Sequence, residues 1–257
     1  MTIQNRHPRH AAFTLVELLV VIGIIALLIS ILLPALSKAR AAANRVSCLS
    51  RIRQVGMAYR FYAGDYRDYV PFGHWDYDGM DGGGMISWDD LLLMGGYLGQ
   101  KATFDQVQWY STDMIQEPML KCPSDPDRGY CWSGNTGWFI TYAPISDISP
   151  SGRKSGAWWT PVVPPSKKLS AIAPDTFLLT EYPDGNNRMG DGYGMVGKPL
   201  DQLNYVSTAA NPNQGLHGKY LNYVFADGHA ESLDPRETVG TGDLSSPKGS
   251  WTSAADD

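Results

Sequence analysis

A carboxylate lies near the start of a long apolar segment of the sequence. Residues 11–40 are AAFTLVELLVVIGIIALLISILLPALSKAR, and Glu17 is the one acidic residue among them. An unpaired carboxylate inside a bilayer costs about 2.5 kcal/mol or more, and less near the interface where it reaches water. A charge at this position is therefore best explained by a partner that neutralises it.

A cut between Ala12 and Phe13 would create such a partner. The new α-amino group of Phe13 would lie four residues before Glu17, and positions i and i+4 share one face of a helix. The ammonium group can neutralise the carboxylate of its own chain or of a neighbouring helix, which makes the costly charge a device for setting helix register. Two alternatives stay open: a plain membrane anchor, and a secretory signal removed after Ser37-Lys38-Ala39.

Three cysteines could form a disulfide: Cys48, Cys122 and Cys131. They allow three pairings, of which Cys122–Cys131 is the most local. The sequence has no C-x-x-C pattern, and no histidine lies near the cysteines at the spacing usual in zinc sites. The spacing therefore does not favour a metal site made by the cysteines.

A histidine and an aspartate frame the segment HGKYLNYVFADG, residues 217–228. Ten extended residues separate two side chains by about 33 Å, so His217 and Asp227 are not expected to form a direct catalytic or metal pair. Asp227 and Gly228 instead predict a type I′ hairpin turn, in which both central residues have positive φ. His217 is expected to cap or precede the strand, and His229 is also interpreted as structural.

Asp76, Asp78 and Asp81 lie in the glycine-rich stretch DYDGMDGGG. Carboxylate oxygens suit Ca²⁺, but the spacing differs from that of an EF-hand loop. We predict solvated turns here and keep Ca²⁺ as a weak alternative, with no other metal or cofactor expected.

Motifs of common enzymes are absent from the sequence. It has no H-E-x-x-H, no G-x-S-x-G, no Walker loop and no dinucleotide-binding pattern. We therefore predict that the chain is not an enzyme.

Charge is divided unevenly along the chain. Residues 1–60 hold eight Lys or Arg and one acid, whereas residues 61–257 hold thirteen Lys or Arg and twenty-five Asp or Glu. The basic residues flank a membrane-length apolar segment, and the acidic remainder repels phosphate backbones. Nucleic acid is therefore not expected as a partner.

One long helix must carry these N-terminal features. About 20 apolar residues cross the hydrocarbon core of a bilayer as a helix, and we predict a transmembrane part over 13–36. Over 37–64 apolar residues recur every three or four positions, which indicates an amphipathic stem of the same helix. Pro34 removes a backbone hydrogen bond and is expected to bend this helix, which is predicted from about Thr14 to about Ala63.

The rest of the chain predicts a globular head over 65–239, rich in glycine and aromatic residues. Strands are predicted at 138–143, 177–182, 220–225 and 229–233. Residues 240–257 are predicted to form a flexible, disordered tail. The predicted fold class is α+β: a long N-terminal helix followed by a mainly β, loop-rich head.

The stretch AFTLVELLVVIGIIALL resembles the class III signal sequence of type IV prepilins and type II secretion pseudopilins. The resemblance implies that residues 1–12 are a basic leader, that prepilin peptidase cuts after Ala12 and methylates Phe13, and that Glu17 is the assembly residue. It also implies a pilin-like fold with a helix-bending proline at Pro34. The residue before the cut is usually Gly in this family, where this chain has Ala12.

Three other stretches resemble prepilin-like proteins abundant in planctomycete-type bacteria. HGKYLNYVFADG resembles their C-terminal H-X9-DG motif, here His217, Asp227 and Gly228. CLSRIRQVGMAYRFYAGDYRDYVP and KCPSD are further likenesses. They place cysteines at the two positions occupied by Cys48 and Cys122, so the resemblance implies a disulfide between this pair.

The resemblance implies a subunit of a type IV pilus or a type II secretion pseudopilus. Its partners would be prepilin peptidase, other pilin or pseudopilin subunits and the cytoplasmic membrane. The N-terminus would be cytoplasmic and the head outside, periplasmic or extracellular, although counting basic residues alone favours the opposite orientation. The alternative is a membrane-anchored extracytoplasmic module that binds a glycan or another exported ligand and does not polymerise.

Overall fold

A 51-residue helix, α1 (Leu15–Asp65), begins the structure. In this computed structural model the described residues are 14–76, 85–107, 117–125, 139–149, 151–153, 166–183, 187, 195–208 and 216–253. Contacts divide the chain into two compact units, Met1–Ala43 and Asn44–Asp257. The bounds of α1 agree with the predicted helix, and Pro34 lies inside it.

The first part of α1 is apolar and exposed. Every residue from 14 to 43 is exposed, and α1 is long and apolar enough to cross a membrane. Exposed side chains of this kind need a surrounding apolar phase, since water is an unfavourable solvent for them. This segment is therefore suited to anchor the chain in a membrane.

The stem, defined here as Asn44–Asp65, packs on the head of its own unit. Its buried residues recur every three or four positions, as one face of a helix requires. Among the apolar residues of the stem, Val46, Met57 and Phe61 are exposed. The buried residues are Cys48, Ile52, Val55, Gly56, Ala58, Tyr59, Tyr62 and Ala63.

An antiparallel sheet of four strands forms the centre of the head, in the spatial order β3-β5-β6-β7. Three of its strands match the prediction closely, and β3 begins later than predicted. Both β5 and β6 are buried along their whole length, whereas β7 is partly exposed. The strands are β3 (Tyr142–Pro144), β5 (Phe177–Glu181), β6 (Leu221–Phe225) and β7 (Ala230–Leu233).

A second, three-stranded sheet and three short helices complete the described head. The spatial strand order is β2-β1-β4, with β1 antiparallel to β2 and parallel to β4. This sheet lies in a region for which the sequence predicted no strand. The elements are β1 (His74–Asp76), β2 (Met85–Ser87), β4 (Ser151–Arg153), α2 (Trp88–Gly95), α3 (Phe104–Val107) and α4 (Pro199–Thr208).

The predicted disordered tail is ordered over 240–253, so that prediction was wrong for these residues. Trp251 is 1% exposed, and its ring lies 5.5 Å from Phe177 and 6.0 Å from Tyr223. Its indole N–H donates a 3.0 Å hydrogen bond to Thr238 Oγ1. The composition of the tail is small and polar, but one tryptophan supplies enough apolar surface to dock a short segment.

The predicted fold class is confirmed: the chain is α+β and pilin-like, with a long N-terminal helix and a loop-rich, mainly β head.

Candidate functional site

Thr14 and Glu17 form a capping box at the start of α1. The backbone N–H and the hydroxyl of Thr14 donate to Glu17 Oε2 at 2.9 and 2.7 Å, and Glu17 N donates to Thr14 Oγ1 at 3.3 Å. This pattern satisfies N–H groups that a helix start leaves without partners. The T-x-x-E spacing is visible in the sequence, but Glu17 was predicted to pair only with an amine at Phe13. Ala12 and Phe13 lie outside the described residues.

A disulfide between Cys48 and Cys122 ties the stem to the KCPSD segment. Their Cα atoms lie 5.0 Å apart, and both side chains are fully buried. One turn later on the stem, Arg51 donates to the carbonyls of Pro118 and Lys121 at 3.0 and 2.7 Å. These bonds hold the segment before Cys122 against the stem. This is the pairing that the family resemblance implies; Cys131 lies outside the described residues.

Next to the disulfide lies a buried carboxylate, Glu181, at the end of β5. Its Oε2 accepts a 2.9 Å bond from the backbone N–H of Asn222, and its Oε1 accepts one of 2.9 Å from Asn222 Nδ2. The backbone carbonyl of Glu181 accepts from Gln202 Nε2 at 2.8 Å. A charge taken out of water is stable only when several donors surround it, and Asn222 on β6 provides two of them.

His217 completes this cluster. Its Nε2 lies 3.2 Å from Glu181 Oε1 and 3.5 Å from Cys122 Sγ, and its side chain is 1% exposed. It also forms an isolated bridge with Tyr220 just before β6, which agrees with the expectation that it precedes the strand. The position of the ring between a carboxylate and a disulfide was not predicted from the sequence.

Tyr142 closes the cluster from the neighbouring strand. It pairs with Glu181 in the register of β3 and β5, and its hydroxyl donates to the carbonyl of Cys48 at 3.2 Å. Burial, with the nearby Glu181 charge as a smaller cause, raises the pKa of the Tyr142 phenol well above its usual range. Tyr142 therefore remains a neutral hydrogen-bond donor.

The Asp-Gly end of the H-X9-DG segment forms a turn rather than part of the cluster. The turn is a three-residue loop, because Phe225 N donates to His229 O and Gly228 N donates to Phe225 O. Among the non-glycine residues that the structure describes, positive φ occurs only at Arg67 and Asp68, while Gly228 has φ +93°. The predicted type I′ turn is therefore wrong, and the geometry is that of a three-residue loop with one left-handed glycine.

Asp227 stabilises this turn through His229. Its Oδ1 accepts from the backbone N–H of His229 at 2.9 Å and lies 2.5 Å from His229 Nδ1. The backbone hydrogen bond, with smaller contributions from the imidazole and from Arg60, lowers the pKa of the Asp227 carboxyl. Arg60 of the stem donates a 2.6 Å bond to the carbonyl of Ala226. The motif thus contacts the stem through this turn, and its His217 end lies beside the disulfide that is joined to the stem.

The calcium alternative falls outside the part of the chain that the structure describes. Asp78 and Asp81 are not described, and of Asp76 only the backbone, in β1, is described. Within the described residues, one group of metal-binding side chains has its donor atoms close together: Cys48, Cys122, Glu181 and His217.

A signal for this cluster was present in the sequence. Cys48, Cys122 and His217 each come from one of the three stretches that resemble prepilin-like proteins. Motif residues from distant segments are often neighbours in a fold, but their distances cannot be derived from the spacing alone. Glu181 carried no signal, since it ends an ordinary apolar strand.

Two family models match the chain. The model described as a prokaryotic N-terminal methylation motif matches residues 7–33. The model described as a protein of unknown function (DUF1559) matches residues 37–167, about half of the chain. Neither a curated protein nor a solved structure matches it.

Proposed function

The chain belongs to the DUF1559 family of proteins of unknown function, and we propose that it is a pilin-like subunit that prepilin peptidase matures and that assembles with other subunits. The two family matches confirm its prepilin-like character. In the proposed maturation the peptidase cuts between Ala12 and Phe13 and methylates the new amino group of Phe13. The product enters a type IV pilus or a type II secretion pseudopilus.

The observation that carries the proposal is the position of the Glu17 carboxylate. It lies 2.9 Å from the backbone nitrogen of Thr14, the residue directly after Phe13. Consecutive Cα atoms are about 3.8 Å apart, so an amine created at Phe13 would arise within reach of this carboxylate. The capping box thereby holds the acid at the place where cleavage would supply a positive charge.

The exposed apolar part of α1 supports assembly. No residue from 14 to 43 is buried within its own unit of the chain. In a bilayer lipid would cover these side chains, and in a filament the same segments of neighbouring subunits would cover them instead. The amine of one subunit and the Glu17 of another would then set the register between adjacent helices.

We propose that the N-terminus is cytoplasmic and that the head lies outside the membrane. The Cys48–Cys122 disulfide supports this orientation, because structural disulfides persist in oxidising compartments and are rare in the cytosol. The basic stem residues favour the opposite orientation on the charge rule. We give the disulfide more weight because thiols are kept reduced in the cytosol. The chain is proposed to have no enzymatic activity of its own.

Mass spectrometry of the mature N-terminus tests the maturation step. The full chain is expressed in cells with and without an active prepilin peptidase. We expect a methylated Phe13 terminus only where the peptidase is active. Ala12→Gly serves as the matched control, because it restores the usual residue before the cut and should give the same product. Retention of Met1 in cells with active peptidase would refute the proposed maturation.

A matched pair of substitutions tests the assembly role of Glu17. Gln at the third helical position preserves a capping box while removing the charge. We therefore expect Glu17→Gln to keep α1 and membrane insertion but to lose incorporation into filaments, as measured by shearing and immunoblotting. Glu17→Ala should lose both the cap and incorporation. If the chain stays uncut, and the parent, Glu17→Gln and Glu17→Ala all reach the cell surface equally, the anchored binding module would be favoured instead.

A further inference from the structure

Four metal-binding side chains converge next to the stem. Cys48 comes from α1, Cys122 from the KCPSD segment, Glu181 from the end of β5 and His217 from the bridge before β6. One donor atom from each lies within 4.8 Å of the others. Cys48, Cys122 and Glu181 are fully buried, and the His217 side chain is 1% exposed.

The donor set is that of a structural zinc site. Zn²⁺ favours four ligands drawn from cysteine sulfur, histidine nitrogen and carboxylate oxygen, in a tetrahedron. With Zn–S near 2.3 Å and Zn–N and Zn–O near 2.1 Å, ligand atoms are separated by about 3.4 Å (N to O) and about 3.6 Å (N to S). The corresponding separations from His217 Nε2 are 3.2 Å to Glu181 Oε1 and 3.5 Å to Cys122 Sγ. Two edges of the tetrahedron are therefore already at ligand spacing.

His217 Nε2 faces two acceptors but can carry only one proton. With the disulfide closed, Nε2 lies 3.2 Å from Glu181 Oε1 and 3.5 Å from Cys122 Sγ, and one N–H group cannot donate fully to both. With the disulfide open, a cation between the donors would bind the Nε2 lone pair, the carboxylate and two thiolates at once. The divalent ion would then offset most of the negative charge that two thiolates and a carboxylate place in a buried site.

Surrounding groups hold the donors in place, as outer partners do in metal sites. Asn222 orients the Glu181 carboxylate through two hydrogen bonds and is itself held by Ser232. On the sulfur side, the backbone N–H of Cys122 donates to Thr141 Oγ1 at 2.9 Å. The Thr141 hydroxyl in turn donates to Asp125 Oδ2 at 2.6 Å.

We propose that Cys48, Cys122, Glu181 and His217 form a tetrahedral site for a thiophilic divalent cation, Zn²⁺ being the type ion, whenever the disulfide is open. A dithiol reductant opens the bridge: two electrons and two protons pass to the sulfurs, and the reductant becomes a disulfide. On binding, the cation displaces two protons from the thiols to water. The same four residues thus join the stem to the head covalently in one state and through a metal ion in the other.

Cobalt binding to the full chain in detergent tests the proposal. A Cys131→Ser background leaves only the two thiols of the site, and a phosphine reductant opens the disulfide. We expect one Co²⁺ per reduced chain, intense visible bands of tetrahedral cobalt, near-ultraviolet thiolate charge-transfer bands, and displacement by Zn²⁺. The oxidised chain should give none of these bands. A reduced chain that binds no Co²⁺, folded or not, would overturn the proposal.

Histidine variants test whether the head supplies the nitrogen donor. We expect His217→Ala to weaken Co²⁺ binding by at least about 10-fold, since loss of even an outer-shell partner costs 10- to 100-fold. His229→Ala, in the exposed turn, is the control and should bind as the parent does. Equal binding by His217→Ala and the parent would overturn the site.

X-ray absorption on the zinc-loaded parent gives an answer even if His217→Ala misfolds. We expect two sulfur ligands at about 2.3 Å and two nitrogen or oxygen ligands at about 2.0–2.1 Å. A first shell without sulfur, or with sulfur from more than two thiolates, would contradict the proposed donor set.

Discussion

The two parts of helix α1 differ in what surrounds their apolar side chains. From Leu15 to Ala43 most side chains are apolar and all are exposed. From Asn44 to Asp65 one apolar face is buried against the head, while Val46, Met57 and Phe61 elsewhere on the stem are exposed. Both parts have the same backbone geometry and differ in the environment for which their side chains are suited. The side chains of the first part are suited to apolar surroundings that come from outside the chain. The buried side chains of the second part are suited to the core that the chain itself forms.

This difference shows how the spacing of apolar residues along a long helix indicates what surrounds the helix. Where the apolar residues lose their three-to-four periodicity, the helix is surrounded on all sides by an apolar phase. Where the periodicity returns, one side faces water. In α1 the first buried residue after this change is Cys48, which also carries the disulfide.

The largest expected effect comes from removing the disulfide that joins the stem to the head. A closed loop with a sequence separation of 74 should stabilise the head by about 4 kcal/mol through the reduced entropy of the unfolded chain. We expect the double substitution Cys48→Ser, Cys122→Ser to lower the free energy of unfolding by about this amount, in the presence of a chelator. Membrane insertion should be unchanged. Denaturant titration followed by tryptophan fluorescence measures the first quantity, and alkaline extraction of membranes measures the second.

A second prediction makes the same substitution in both parts of α1. Ile52 is fully buried and Ile25 is 48% exposed. Truncation of a buried isoleucine to alanine costs about 2–5 kcal/mol through lost burial and the cavity left behind. We expect Ile52→Ala to destabilise the head by about 3 kcal/mol, and Ile25→Ala to leave its unfolding transition within about 0.5 kcal/mol of the parent. Equal transitions for the two variants would contradict the burial described for the stem.

Two glycines of α1 sharpen the comparison further. A Cβ added at Gly56 would lie 2.5 Å from Val224 Cγ1, whereas one added at Gly23 would meet nothing within 4 Å. We expect Gly56→Ala to destabilise the head by about 1–3 kcal/mol, because the stem approaches β6 too closely for a methyl group. Gly23→Ala should leave the head unchanged and raise helix stability by up to about 1 kcal/mol. Unfolding curves and helical circular dichroism in detergent distinguish the two outcomes.

The smallest expected effect concerns the turn that the stem contacts through Arg60. The pKa of Asp227 is lowered in the folded chain, chiefly by the His229 backbone N–H. Its stabilisation is therefore fully present above the ordinary carboxyl pKa of about 3.9 and is lost as pH falls through the lower, folded value. Since Asp227 is largely exposed, we expect its charge to contribute less than about 1 kcal/mol to the free energy of unfolding.

Asp227→Asn preserves the acceptor and removes only the charge. We expect the difference in unfolding free energy between the parent and this variant to shrink as pH falls from 6 to 3. Glu231→Gln, in the same hairpin, is the control for loss of one exposed carboxylate. A difference that grows toward low pH would contradict the lowered pKa.

Elements governed by local pattern were predictable from the sequence. The apolar segment and the stem stripe predicted α1, and short apolar runs flanked by turn residues predicted β5, β6 and β7. The turn at Asp227-Gly228 was predicted, but its type was wrong: the Asp227 carboxylate accepts from the backbone N–H of His229, and only Gly228 of the two turn residues has positive φ.

Features governed by distant contacts were not predictable. The β2-β1-β4 sheet pairs β1 with β4 at a sequence separation of 77, from His74 to Ser151, and no local signal encodes such a pairing. The ordered segment around Trp251 depends on a surface formed by Phe177 and Tyr223. The proximity of His217 to the cysteines depends on the pairing of β6 with β5, and this pairing cannot be derived from the spacing of the residues.

The bridge between Cys48 and Cys122 also determines the mechanical behaviour of the head. Once the contacts between the stem and the head had broken, tension along α1 would pass from Cys48 through the sulfur atoms to Cys122, and the residues between them would carry no load. At about 3.4 Å per residue, a separation of 74 corresponds to about 250 Å of extended chain. A fibre built from such subunits would hold this length in reserve and release it only when the sulfur bridge opens.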